Sequence, residues 1–259
     1  MLERLVDRYL RDVALALVPL HPNQHAYQAG KLVETALHQL VVLDEKVPDQ
    51  QETALGLFLD TEGAFNNTCY EAMCDALARH RSEYTIMWWI RATLEGRVVV
   101  ANLSRTSVRL AISRGCPQVG VLLLLLWCLV VNDLLTRLNG GGIFVQGCAD
   151  DICLLAVGKF PNMVSGLMQL ALLTIEMCCK EVGLSVNPDK TGLIAFIRKQ
   201  KLQGFFEPRL FGVKLNLSGS VKYLGVILDS QLNWREHVEV KVKKAHNLLW
   251  AYRREFGAR

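Results

Sequence analysis

The chain has 259 residues, of which 51% are hydrophobic and 21% are charged. This composition excludes an intrinsically disordered protein, because the chain has enough apolar surface to bury a core. The formal net charge of +4 is compatible with nucleic-acid binding but does not by itself indicate it.

The cysteines indicate a reducing compartment. All eight lie mostly within apolar stretches, and none forms a Cys-x-x-Cys pair. No secretory signal precedes them, because the first residues alternate charged and apolar side chains. We interpret them as reduced, mainly buried thiols, with a zinc or redox site as the alternative. The protein is accordingly expected inside the cell, in the nucleus or the cytoplasm.

The first part of the chain predicts helices around one short strand. Apolar residues recur at helical spacing at the N-terminus. Residues 54–59 are an apolar run typical of a buried strand, and Asp60 follows the run directly. Thr68 and Glu71 have the spacing of a capping box, which predicts a helix through Ala78. Residues 98–112 then indicate two strands around a polar turn.

The most apolar stretch of the chain, residues 119–131, predicts a buried helix that continues to Leu138. The run is shorter than the roughly 20 residues that span a bilayer, which favours a core helix over a membrane-associated protein. A glycine-rich segment, residues 139–142, is expected to end this helix.

Two adjacent acids, Asp150 and Asp151, lie at the tip of a predicted hairpin with strongly apolar strands. Like charges this close repel each other unless a cation lies between them. Magnesium prefers a few carboxylates together with water and phosphate, so these acids and Asp60 would suit it. The alternative is an ordinary solvated turn, in which Asp-Asp is common.

The last third continues the mixed pattern. It predicts a helix over residues 161–182 ended by Gly183, a strand over residues 192–197, and one strand over residues 221–229. An amphipathic helix follows Trp234, and its polar face is basic. The basic residues are Arg235, Lys241, Lys243, Lys244, Arg253 and Arg254. Helices and strands alternate without a regular βαβ rhythm, which predicts an α+β fold.

Several motifs in fixed order resemble those of non-LTR retrotransposon reverse transcriptases, including insect R1 and jockey-like elements. FLDTEGAFNNT resembles the first palm motif of that family, and GCADDICLL resembles its [FY]ADD motif. SRGCPQVGVLLLLLW, VNPDKT and VKYLGVILD resemble three further palm motifs, and AYQAGKLVETAL resembles the segment between fingers and palm. The order and spacing agree from Met1 to Asp229.

The resemblance implies a two-metal polymerase site on Asp60, Asp150 and Asp151. It implies two Mg²⁺ ions, with Mn²⁺ as an alternative, that clamp the attacking and leaving oxygens of phosphoryl transfer. Phe65 takes the steric-gate position, where a ring would collide with a ribonucleotide 2′-hydroxyl. Without the resemblance, Phe65 could equally be a core residue.

The resemblance also assigns roles to residues around these acids. Gln118 would contact the incoming nucleotide or the template, and Lys190 would be the general acid for the pyrophosphate leaving group. Lys190 could otherwise be a solvated turn lysine. Tyr223 and Gly225 would hold the primer end.

The implied fold is a right-hand polymerase palm with partial fingers and the start of a helical thumb. Residues 1–229 would form the reverse transcriptase domain, and residues 230–259 would begin the thumb and touch duplex phosphates. The implied partners are an RNA template, a DNA primer and dNTPs, with no membrane.

Several positions depart from the family pattern. Cys148 replaces an aromatic residue, Val119 replaces a glycine, Leu123 and Leu124 replace Ser-Pro, and Asn66 replaces a frequent acid. Family members also carry further sequence before and after this span. We therefore expect the 259-residue chain to be weakly active or inactive. The alternative to a polymerase is a decayed remnant that only binds nucleic acid.

Overall fold

The computed structural model describes residues 1–45, 52–103, 106–115, 120–196 and 204–253. Its helices are α1 (Leu2–Tyr9), a π-helical turn (Leu10–Ala14), α2 (Leu15–Leu17), α3 (Val33–Glu45), α4 (Ala64–Asn67), α5 (Tyr70–Arg79), α6 (Tyr84–Glu95), α7 (Val121–Gly140), α8 (Pro161–Val182) and α9 (Arg235–Ala251). Its strands are β1 (Thr53–Glu62), β2 (Val98–Leu103), β3 (Thr106–Ala111), β4 (Phe144–Cys148), β5 (Asp151–Gly158), β6 (Ser185–Val186), β7 (Gly192–Phe196), β8 (Arg209–Leu210), β9 (Val213–Lys214), β10 (Ser220–Tyr223) and β11 (Val226–Asp229). Helices and strands are interleaved as the α+β prediction requires.

A five-stranded antiparallel sheet forms the centre of the molecule. Strand β1 lies inside it, paired with β5 on one side and with β7 and then β6 on the other. Strand β4 extends the sheet beyond β5 as the other half of a hairpin. Because β1 has neighbours on both sides, its register is fixed by two independent sets of backbone hydrogen bonds.

One face of the sheet packs against the two longest helices, α7 and α8. Alternate residues of β1 (Leu55, Leu57 and Leu59) are at most 3% exposed and join this core. They meet the apolar side chains of α7 and α8, which is the arrangement that period-2 and period-3.6 patterns produce when they face each other. The helices therefore cover one face of β1, and the side chain of Asp60 lies on the opposite face.

The opposite face of the sheet is covered by the hairpin of β10 and β11 and by α3. Residues 221–229 were predicted as one strand, and that prediction is wrong. The backbone turns at Leu224 and Gly225, which have φ values of 47° and 80°. Gly225 tolerates this conformation without strain, so the chain reverses and β11 pairs with β10.

A second apolar cluster joins α1, α5 and α6 to the first half of α7. Helix α5 begins one residue later than the capping-box prediction, with Cys69 rather than Thr68 at the N-cap position. The predicted β2–β3 hairpin is present, and both of its strands are largely exposed.

Helices α7 and α8 are long and apolar enough to cross a membrane by length and composition alone. Helix α7 has 20 residues, as many as the helix predicted over residues 119–138, but it starts at Val121 and ends at Gly140, two residues later at each end. Two thirds of its most apolar window (67%) is buried inside the protein, whereas the figure for α8 is 44%. Core helices of soluble proteins have the same composition, and burial of α7 agrees with its predicted core position.

Candidate functional site

Asp60 and Asp151 lie opposite each other on adjacent strands. Asp60 is paired with Asp151 near the end of the β1–β5 ladder. Directly opposed residues of an antiparallel pair place their side chains on the same face, a few ångströms apart. Their neighbours Leu59 and Ile152 point into the helical core, so alternation directs the two acids to the other face.

Asp150 lies in the turn between β4 and β5, as predicted from the sequence. Ala149, before it, has a φ of 58°, a left-handed conformation that alanine rarely adopts. Two side chains donate hydrogen bonds to the turn. The indole Nε1 of Trp127 lies 2.8 Å from the carbonyl oxygen of Ala149, and the hydroxyl of Thr61 lies 2.7 Å from the carbonyl oxygen of Asp150.

Asp151 is the acid of this group whose pKa is shifted by its surroundings. Burial raises the pKa of Asp151, and the neighbouring charges of Asp150 and Asp60 raise it further. A cation among the three carboxylates would reverse this shift, because it favours the ionised form. Their oxygens are hard donors of the kind that Mg²⁺ prefers, so the donor set fits that ion.

Lys190 provides a positive charge next to Asp60. Its Nζ lies 3.6 Å from Oδ2 of Asp60, and both side chains are about half exposed. The turn that carries Lys190 is held against β1, because the backbone N–H of Asn187 donates to the carbonyl oxygen of Asp60. Solvent screens an ion pair this exposed, so it stabilises the fold little. The pair places an ammonium group at the edge of the acidic site.

A cavity of about 480 Å³ adjoins the acids on the side of the β10–β11 hairpin. Its polar lining comes from Asp60, Asp151, Asp189, Lys190, Thr191, Ser218, Ser220, Lys222 and Tyr223. The ring of Tyr223 is buried and packs against Phe58 with ring centroids 4.9 Å apart. Its hydroxyl accepts a hydrogen bond from Nε2 of Gln146. Gly225 occupies the adjoining surface turn.

Phe65 lies on the short helix α4, immediately after β1. Its ring is half-buried and packs against Trp127, with centroids 5.4 Å apart and planes inclined by 56°. Gln118 falls outside the described residues, so its predicted contact stays a prediction. The same applies to Val119.

Cys148 is the last residue of β4 and is paired with Asp151 in the sheet. It is buried, and burial together with the charges of Asp151 and Asp150 raises the pKa of its thiol. Cys148 therefore places a small buried side chain at the position where the family pattern has an aromatic ring.

A second acidic group, formed by Asp133, Cys178 and Glu181, has the spacing of a metal site. Arg137 occupies this position instead. Its guanidinium lies 2.8 Å from Asp133 and 2.9 Å from Glu181, and it donates to the sulfur of Cys178 at 3.5 Å. The charges are thus balanced by a side chain, and the group is structural.

Residues 1–228 match the family described as reverse transcriptase (RNA-dependent DNA polymerase). The chain belongs to this reverse transcriptase family. Its similarity extends to the Pol polyprotein of the R1 retrotransposable element of Bradysia coprophila, with 30% identity over 98% of this chain and 24% of the relative. The polymerase of the Drosophila funebris jockey element is 25% identical over 92% of this chain and 26% of its own length.

Solved structures show the same fold. A telomerase from Candida tropicalis, in complex with a fragment of telomeric RNA, superposes on this reverse transcriptase with a TM-score of 0.65 and 10% identity. The superposition covers 88% of this chain and 36% of that one. A telomerase from Candida albicans gives a TM-score of 0.58. The reverse transcriptase spans about a quarter of the R1 relative (24%).

Sequence reasoning did not identify Trp127 or Thr61 as residues of this site. Each was assigned to a palm motif without a role, and Trp127 also to the predicted apolar helix. Both are distant in sequence from the turn they contact, and local patterns carry no signal for such contacts. The order of the motifs, which does predict which segments meet, was the available clue.

Proposed function

We propose that this reverse transcriptase domain synthesises DNA on an RNA template by adding dNTPs to a primer 3′-hydroxyl. The observation that carries the proposal is the register of β1 and β5, which sets Asp60 opposite Asp151 beside the turn of Asp150. Membership of a family described as RNA-dependent DNA polymerases supports the reaction class.

Asp60, Asp150 and Asp151 would hold the divalent ions of this reaction. When bound, Mg²⁺ would neutralise the charge that develops on the transferred phosphate and favour ionisation of the primer hydroxyl. Strand pairing fixes two of these carboxylates, Asp60 and Asp151, relative to each other. The third is fixed by a turn whose two carbonyl groups are hydrogen-bonded.

Two side chains beside the acids fit the remaining steps. The ammonium group of Lys190 would donate a proton to the departing pyrophosphate, as its position at the edge of the site allows. The ring of Phe65 would lie against the sugar and exclude a 2′-hydroxyl. Gln118 would contact the nucleotide or the template.

The proposed nucleic-acid contacts lie on the hairpin and on α9. The turn at Gly225 would support the primer end, and the backbone there is at the surface whereas the Tyr223 ring is buried. Lys241, Lys243 and Lys244 on α9 are exposed and would contact phosphates of the duplex. The RNA template is proposed from the family, which is described as RNA-dependent DNA polymerases.

The test is primer extension by the purified chain with Mg²⁺ and dNTPs. Asp150→Asn should lower the extension rate at least about 100-fold, because it removes a charge at the reacting centre. Its affinity for a labelled template–primer should stay unchanged in fluorescence anisotropy. The control is Asp12→Asn, an exposed acid of the π-helical turn after α1 that should affect neither measurement.

Binding without any extension by the unaltered chain would contradict the proposal and favour the nucleic-acid-binding remnant. Equal extension by Asp150→Asn and the unaltered chain would contradict the assignment of the site. Efficient extension by the unaltered chain would instead refute our expectation of weak activity.

A further inference from the structure

The backbone turn that carries Asp150 adopts an unfavourable conformation. Ala149 has a φ of 58°, which an L-residue other than glycine or asparagine populates rarely. Such a conformation persists only where surrounding contacts determine it. Here the contacts are the hydrogen bonds from Trp127 to the carbonyl of Ala149 and from Thr61 to the carbonyl of Asp150.

The same indole contacts the ring of Phe65. Trp127 is 2% exposed, and its centroid lies 5.4 Å from that of Phe65 in a tilted arrangement. Tilted aromatic pairs at this separation attract each other beyond the burial of their area. Phe65 lies on a short helix of four residues, which offers little rigidity of its own. The indole therefore restricts where the Phe65 ring can lie.

We propose that Trp127 is a positioning residue that fixes the Phe65 ring and the Ala149–Asp150 turn relative to each other. Its N–H holds the turn, and its ring packs against Phe65. This inference rests on the proposed function, in which Phe65 selects the sugar and the acids bind the metal. It states that one side chain, Trp127, sets the distance between the Phe65 ring and those acids. It predicts two effects that different substitutions of Trp127 separate.

Trp127→Phe keeps an aromatic ring but removes the N–H. Trp127→Leu removes both the N–H and the ring. If Trp127 only fills the core, both variants should be less stable, and neither should change metal affinity or nucleotide selectivity independently of the other. A positioning residue would change metal affinity in both variants and selectivity only in Trp127→Leu.

The first measurement uses Tb³⁺, a hard ion that prefers oxygen ligands and emits when a nearby tryptophan is excited. The chain has five tryptophans, and Trp127 is hydrogen-bonded to the residue before Asp150. Trp127→Phe should lose most of the sensitised emission. It should also weaken Tb³⁺ binding about tenfold, as loss of a supporting hydrogen bond does at metal sites. Competition with Mn²⁺ measures this affinity without relying on the emission of Trp127.

Two controls accompany this measurement. Trp88→Phe removes a tryptophan of α6 that is 61% exposed and should leave emission and affinity unchanged. Thr61→Val removes the other hydrogen bond to the turn and should weaken Tb³⁺ binding while emission per bound ion persists. If Trp127→Phe binds Tb³⁺ as tightly as the unaltered chain, the proposal is overturned.

The second measurement is the ratio of dNTP to rNTP incorporation. Trp127→Leu should lower this ratio about tenfold, whereas Trp127→Phe and Thr61→Val should keep it within about twofold. An unchanged ratio in Trp127→Leu would overturn the link to Phe65. The thermal midpoint of each variant is recorded, and replacement of Trp127 by benzothienylalanine, which lacks only the N–H, tests the hydrogen bond should Trp127→Phe unfold.

The outcomes separate this inference from the proposed function. The metal site is refuted if the unaltered chain shows no sensitised Tb³⁺ emission, or if Asp150→Asn leaves that emission in place. The inference about Trp127 fails with it. If that emission is present but Trp127→Phe changes neither emission nor affinity, the positioning role alone is overturned and the proposed function stands.

Discussion

Among the carboxylates that the structure describes, Asp151 is the one whose surroundings raise its pKa. Burial and the charges of Asp150 and Asp60 raise its pKa, and Lys190 is paired with Asp60. The folded chain therefore binds a proton at Asp151 more readily than the unfolded chain does. A divalent ion would displace this proton, so metal binding and proton release are coupled at this one residue.

Gly192 allows the β10–β11 hairpin to approach the sheet closely, because it has no side chain. It directly follows the turn of Lys190, and a Cβ atom added to it would lie 2.8 Å from Cγ1 of Val221. The close contact joins β7 to β10, and both line the cavity beside the acids. A side chain at this position would push the hairpin away from the site.

We predict that Gly192→Ala lowers the free energy of unfolding by about 1–3 kcal/mol, the usual cost of overpacking. Gly166→Ala is the matched control, because Gly166 lies within α8 and a Cβ there meets no atom within 4 Å. It should stabilise the chain by about 0.5–1 kcal/mol. Urea denaturation measures both changes, and a neutral Gly192→Ala would show that the hairpin can move without cost.

At the level of elements, histidines join the segment before α3 to its neighbours, including the β4–β5 hairpin. The backbone N–H of His25 donates to the carbonyl of Gly147 in β4, and its ring contacts Thr35 and Gln39. His80 donates through Nδ1 to the carbonyl of Val18, so its Nε2 accepts from Asn132. These rings function as neutral hydrogen-bonding groups.

Stability should therefore fall as the pH drops below about 6.5, the ordinary histidine value. Burial is the main cause that lowers the pKa of His21, His25 and His80. The unfolded chain then binds protons that the folded chain does not, and stability is retained only above this range. The hydrogen bond to Val18 opposes the shift at His80, and Arg79 adds to it.

His80→Asn isolates one of these contributions. Asparagine can replace Nδ1 as the donor to Val18 but cannot titrate. The thermal unfolding midpoint should decrease less between pH 7 and pH 5 in this variant than in the unaltered chain. The control, His246→Gln on the exposed helix α9, should show the same decrease as the unaltered chain. An unaltered pH dependence in His80→Asn would exclude His80 as a source of acid instability.

Local sequence signals predicted the elements but not the contacts between them. The hairpin of Asp150 and the helix ended by Gly183 were predicted because apolar runs and turn glycines mark them directly, and both are confirmed. The turn at Leu224 was missed because leucine rarely adopts positive φ. The contact of Trp127 with Phe65 joins distant segments, and only the assembled core brings them together.

At the scale of the whole molecule, α9 is a long helix that lies almost wholly at the surface. None of its residues, all of which the structure describes, is buried. The first lysines of its basic face project into solvent, and Trp234 before it has a φ of 64°, which sets the direction of the helix. Charge on this helix can therefore change without disturbing the core, which makes it suited to a test of phosphate contacts.

We predict that Lys243→Gln with Lys244→Gln weakens template–primer binding and lowers the slope of log affinity against log salt by about 0.9 per lost phosphate contact. The matched control, Arg4→Gln with Arg8→Gln, removes the same charge from α1 and should leave the slope unchanged. Anisotropy titrations at several salt concentrations measure it. Equal effects of the two pairs would indicate a response to net charge alone.

The inner position of β1 has a consequence for how this site evolves. A slip of β1 by one residue would turn Asp60 towards α7 and α8 and expose Leu59, so the burial of leucines prevents the slip. Core packing thus maintains the alignment of the acids, whether or not polymerisation is under selection. A lineage that ceased to copy itself would keep its carboxylates opposed for as long as it kept its fold.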